Sequence, residues 1–174
     1  MKRVRWVLAV VVAGLLVMSG CSKPGASVAA AVNGVNIPAS RIESAVAAIG
    51  SSPGQLAEPH AIVLTWAIRG EVARTMAAEQ AIQLTGEPRT TLMTSNPNLD
   101  KFAKMPGASD FVNDLVDATL VVDKVGEPAF VARIAETDVQ VNPRYGAWVA
   151  QSATVDQTGG QLSQPWTVPS TPAR

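Results

Sequence analysis

The segment from Pro59 to Leu84 constrains the fold more than any other part of the chain. Ile62, Val63, Trp66, Ala67, Val72, Ala73, Met76, Ala77, Ala81 and Leu84 spread too far around a helix to form one apolar stripe. The segment is therefore expected to be a long central helix packed by several neighbours. Pro59 suits a first helical turn, where its missing N–H goes unused, and Thr85-Gly86 is the expected stop.

The flanking sequence supplies those neighbours. Ser40-Arg-Ile-Glu43 has capping-box spacing, and Ile42, Ala45, Val46 and Ile49 follow at i, i+3, i+4 and i+7 before Gly50, which predicts an amphipathic helix. Ser51 to Gly54 reads as a loop. Pro88, Pro97 and Pro106 break up Gly86 to Gly107, predicting mobility there with a short helix near Leu99 to Ala103. Helical spacing returns from Asp110 to Val125, with Gly126 as the stop, and a short helix is expected over Pro128 to Ala135. Val28 to Val32 is compatible with a strand, Asn33-Gly34 is a tight-turn signal, and Val139-Gln-Val141 alternates like a strand. After Trp148 the chain reads as a polar tail punctuated by Gly and Pro.

The first twenty residues stand apart from this domain. Lys2, Arg3 and Arg5 precede the apolar run Trp6 to Met18, and Ser19-Gly20-Cys21 follows, which is the order of a cleavable signal peptide. The run falls short of the roughly 18 apolar residues that a permanent span requires. Met18-Ser19-Gly20-Cys21 resembles a bacterial lipobox, although Met18 departs from the usual Leu. The resemblance implies cleavage before Cys21 and its modification with acyl chains such as palmitate, so that the membrane lipid is itself a partner. Two or more such chains give stable anchoring where one is marginal. Cys21 is the only cysteine, so no internal disulfide or Cys-rich metal site can form. Residues 21–27 would be a flexible lipidated tether, 28–148 the domain and 149–174 a flexible tail. Removing residues 1–20 takes three of the 14 Lys+Arg and none of the 14 Asp+Glu. The resulting mildly acidic mature chain, with few aromatics, argues against a nucleic-acid partner.

Ala30-Ala-Val-Asn-Gly-Val-Asn-Ile-Pro-Ala-Ser-Arg-Ile-Glu43, the helix end Ala-Ala-Glu-Gln-Ala-Ile-Gln-Leu-Thr-Gly86 and the segment Val139-Gln-Val-Asn-Pro-Arg-Tyr-Gly-Ala-Trp148 together resemble the SurA N-terminal-like domain of exported SurA/PrsA-type chaperones. The closing segment especially resembles that of actinobacterial lipoproteins of that kind. Asn33, Gly34, Asn142, Pro143, Arg144, Tyr145, Gly146 and Trp148 carry the motif and are expected to act structurally. The resemblance implies a mainly α-helical fold with a minimal two-stranded β element, formed by the strands near Val28 and Val139. Many relatives insert a parvulin isomerase domain before the closing strand. Gly86 to Asp138 is too short for it, and His60 is the only histidine where parvulin sites use a pair, so isomerase activity is not expected.

No nucleophile elbow, P-loop, dinucleotide glycine motif or His-Glu-x-x-His accompanies these features, and neither a metal nor a cofactor is expected. His60 reads as a surface or capping side chain. Asp110, Asp114 and Asp117 read as one solvated helix face. Trp66 and Met76 are candidates for a client-binding groove, because large aromatic and flexible Met surfaces suit promiscuous recognition, although core packing is the simpler reading of each. Two functions fit: a cell-envelope chaperone that covers unfolded exported proteins without catalysis, or a lipid-anchored adaptor for one folded partner.

Overall fold

A computed structural model describes residues 24–50 and 58–157. The expected signal peptide, Cys21 and the loop expected after Gly50 lie outside the described residues. The described chain is mainly helical with small antiparallel sheets, as expected. Its elements are β1 (Val28–Val32), β2 (Val35–Pro38), α1 (Ala39–Gly50), α2 (Pro59–Gln80), α3 (Glu87–Ser95), α4 (Pro97–Ala103), α5 (Ser109–Val125), α6 (Glu127–Glu136), β3 (Val139–Val141), β4 (Ala147–Val149) and β5 (Thr154–Asp156). None of the described helices is long and apolar enough to cross a membrane.

Helix α2 is the expected centre. Val63, Leu64, Ala67, Ile68, Val72, Ala73, Met76 and Ala77 are all buried, and α1, α5, α6, β1 and β5 pack around it. Its most extensive partner is α5, where Gly70 admits Asp114 so closely that an added Cβ would lie 2.7 Å from the aspartate Cβ. Contrary to the sequence reading, α2 stops before Leu84. Ala81 takes φ 53 and the Ile82 N–H bonds the Ala77 carbonyl at 2.9 Å, a Schellman-type closure. The chain turns there, so Ile82 and Leu84 pack on the core from outside the helix while Ala81 is exposed.

The β element is larger than expected. β1 pairs with both β2 and β3 in a sheet of order β2-β1-β3, and β4 pairs with β5 in a second sheet. The Asn33-Gly34 signal forms the hairpin, with Val32 opposite Val35 and both turn residues at positive φ, 48 and 81, as a two-residue primed turn requires. The expected tail also begins later than residue 149. Ala153 and Val155 are buried, and the Val155 N–H donates to Thr65 Oγ1 of α2 at 2.9 Å. Two buried apolar residues in a polar stretch, with this hydrogen bond, hold β5 and the turn before it on the central helix.

Within Gly86 to Gly107, α4 contains the short helix expected near Leu99 to Ala103, and α3 adds a helix that the sequence reading did not expect. Pro88 and Pro97 fall in the first turns of α3 and α4, where proline initiates rather than breaks.

Candidate functional site

Helices α3 and α4 contain no fully buried residue, yet they cover a strip of α5 that is completely enclosed. Val112, Val116 and Leu120 recur at i, i+4 and i+8 and are 1%, 0% and 7% exposed. The cover consists of half-buried Leu92, Met93, Leu99, Phe102 and Ala103, joined by Leu84 and Phe111. Leu92 and Met93 sit on α3, Leu99 and Phe102 on α4, and each leaves part of its surface in solvent. A cavity of about 550 Å³ opens between these two helices beside Arg89, Thr90, Met93, Thr94, Pro97 and Asp100. Apolar area drives the two helices onto α5, but partial burial makes that attachment weaker than a core contact.

One polar tie fixes the start of α3. Arg89 Nη1 donates to Asp117 Oδ1 at 2.7 Å, and Nη2 donates to Asn113 Oδ1. Asp117 is shared with Arg74 Nη1 at 3.1 Å, and that same nitrogen reaches Asp114 Oδ1 at 2.9 Å. Arg41 Nη2 lies 2.7 Å from both Asp114 oxygens, and its Nε sits 3.4 Å from exposed Asp110. The expectation of a solvated acidic face is therefore overturned for Asp114 and Asp117, which are 1% and 7% exposed. Three arginines far apart in sequence compensate them, and helical spacing alone could not reveal such partners. Burial pushes the Asp114 carboxyl up to about 6 although Arg41 and Arg74 oppose it. Hydrogen bonds to Glu71 and Asp114 hold Arg74 protonated well above the ordinary arginine value, against desolvation.

The motif residues of the closing segment form a second cluster, around a cavity of about 330 Å³ lined by Glu43, His60, Pro143, Arg144, Tyr145, Gly146 and Gln157. Tyr145 Oη donates to Glu43 Oε1 at 2.8 Å, Arg144 donates to the same oxygen at 3.2 Å, and His60 Nε2 meets Glu43 Oε2 at 3.0 Å. These bonds to Tyr145 and His60 hold the Glu43 carboxyl below its usual range, while burial and Glu43 raise the Tyr145 phenol. Glu43 thus clamps the closing turn instead of completing a capping box, since α1 begins one residue before Ser40. Asn142 caps the turn, its Oδ1 accepting from the Arg144 N–H at 3.2 Å. Gly146 has φ 120, and a Cβ there would lie 2.4 Å from the Asp156 carbonyl oxygen, so only glycine lets β5 pass. Trp148 is half-buried against the main core.

The two proposed client-contact residues separate. Met76 is 4% exposed within the core and lines no surface, because the helix face that carries it points into the α-helical interior. Trp66 is half-buried and lines a groove with Ile62, Arg69 and Val155, where the Arg69 guanidinium lies 5.0 Å from the Trp66 ring centre. The sequence reading expected the short helix that carries Leu99 and Phe102 but not α3, because Pro88 and Pro97 on either side masked the helical spacing of Leu92 and Met93. No group of three or more His, Cys, Asp or Glu side chains is placed to hold a metal ion among the described residues. Comparison with protein-family models, curated proteins and solved structures finds no match to this chain.

Proposed function

We propose that the mature chain is a lipid-anchored, non-enzymatic chaperone of the cell envelope, similar to a SurA N-terminal domain without a parvulin insertion, and that α3 with α4 covers its client-binding surface. The observation carrying this reading is that two helices with no buried residue enclose the Val112, Val116 and Leu120 strip. Segments held by few buried apolar contacts open at lower free energy than the core. Opening would present the apolar α5 strip flanked by Leu84 and Phe111, together with the inner faces of the cover that carry Met93 and Phe102, a surface able to accommodate many sequences. An unfolded exported segment that occupies it is kept from aggregating, and reclosing of α3 and α4 competes with the client and favours release. The Cys21 anchor, proposed from the lipobox, would keep this cycle beside the membrane where exported chains emerge.

Photo-crosslinkers placed at Met93 and at Phe102 test this proposal against a control at exposed Glu136 of α6. Crosslinks to many unrelated unfolded proteins from the two cover positions, and few from the control, support a chaperone. A single folded product would favour the adaptor reading instead.

A further inference from the structure

The chain becomes part of the folded body much closer to Cys21 than its composition suggests. Asn142 Nδ2 donates to the Gly25 carbonyl at 3.3 Å and to the Val28 carbonyl at 3.0 Å. The Val28 N–H also bonds the Gly25 carbonyl at 2.9 Å, and the Ala39 N–H bonds that of Ser27 at 2.8 Å. Arg144 Nη1 reaches the Ala26 carbonyl at 3.5 Å. Residues 25–28, read from sequence as tether and strand start, are thereby fastened to the closing turn.

Four residue steps separate Cys21 from Gly25, and at full extension they reach about 14 Å. A domain of this length has a radius of gyration of about 14 Å, and so a diameter of roughly 35 Å. The far pole of such a body cannot turn to the bilayer on so short a tether. We propose that the closing-turn face, formed by Ala26, Pro143 and Arg144 with Glu43 and His60 beside them, lies against the lipid headgroups when Cys21 is acylated. The inference rests on the lipoprotein reading above. Arg144, Pro143, Ala26 and Glu43 are exposed, so nothing within the described residues covers that face.

Helix α1 then places the client surface. Glu43 and Arg41 are separated by about 200° around a helix. Glu43 meets the closing turn, whereas Arg41 meets Asp110 and Asp114 of α5, the helix that bears the apolar strip. The α3 and α4 cover therefore lies across α1 from the lipid, open to chains in the surrounding compartment.

Acylation occupies Cys21, so one added cysteine can carry a fluorophore in the full lipidated protein. Pro143→Cys and Thr94→Cys are compared in phosphatidylcholine vesicles containing headgroup spin-labelled lipid. The label at 143 should be quenched severalfold more than the label at 94, at low and at high salt, because covalent reach rather than charge sets the orientation. Inserting roughly twelve Gly/Ser residues after Ser22 adds about 40 Å of reach and should erase the contrast. Equal or reversed quenching, a contrast lost in salt, or one that survives the insertion would overturn the proposal. The N-terminal mass is read on the same sample: unacylated Cys21 brings down both the orientation and the lipoprotein reading, while acylated Cys21 with equal quenching brings down the orientation alone.

Discussion

At the residue scale, the buried Asp114 ties helix packing to pH. Its carboxyl has a folded-state value of about 6 against an ordinary 3.8, so its contribution to stability is complete below the ordinary value and is lost as pH rises through the folded one. Glu43 has the opposite sign: its value is lowered from 4.5, so its contribution is present above that ordinary value and is lost as pH falls through the depressed one. The melting temperature should therefore rise on going from about pH 7 to about pH 5, and Asp114→Asn should flatten that slope. A wild-type melting temperature that only falls over this interval contradicts the raised carboxyl. Gly70→Ala probes the same contact sterically, since its new methyl would lie 2.5 Å from Asp114 Oδ1 and 2.8 Å from Asp114 Cα. Overpacking at such a site costs about 1–3 kcal/mol, measurable by denaturant titration. Little of this was legible in sequence. Asp114 looked like one of a row of surface acids because its partners Arg41 and Arg74 lie 73 and 40 residues away, a distance that no local pattern spans.

At the element scale, the elements with strong local signals matched expectation and those shaped by tertiary contact did not. The Asn33-Gly34 hairpin, the Ile42 to Ile49 stripe of α1 and the Gly126 stop of α5 need only neighbouring residues to be read. The end of α2 was misplaced because Ile82 and Leu84 find the core after a left-handed turn as readily as along a helix. β5 was missed because only Val155 in that strand is buried. Its burial changes the outcome expected of truncation. Ending the chain after Ala150 removes Val155 and leaves Thr65 Oγ1 without its donor, a loss of about 2 kcal/mol or more, whereas ending it after Gln157 keeps every described strand. A thermal melt that places both truncations together would show that β5 adds nothing. For α3 and α4, Arg89→Ala removes the tie to Asp117 and Asn113 while Asp117 keeps Arg74. Hydrogen exchange should then quicken in Glu87–Ala103 with α2 and α5 protection nearly unchanged. Equal acceleration throughout would show that the two helices open only with the whole domain.

At the scale of the whole molecule, a central helix with α1, α5, α6, β1 and β5 packed around it supports a hydrogen-bonded face at the closing turn and a weakly attached cover on α5. The motif residues singled out in sequence, Asn142 to Gly146, fasten the first described residues to the last strands. They build the scaffold, while the apolar surface proposed to bind clients lies elsewhere, under Leu92, Met93, Leu99 and Phe102. Candidate functional residues and sequence motif thus part company here. The motif is written in turn chemistry that survives translation into sequence, and the covered strip is written only as ordinary hydrophobic spacing. The central claim is that this strip receives unfolded chains when α3 and α4 open. It is tested most directly by light scattering from several unrelated proteins diluted out of denaturant, in the presence of the mature chain or its Arg89→Ala variant. The account predicts that the wild-type chain suppresses aggregation of all of them in a dose-dependent way, and that Arg89→Ala, folded by its helical signal, does so at lower concentration because its cover opens more readily. Scattering unchanged by either protein at any concentration would contradict it.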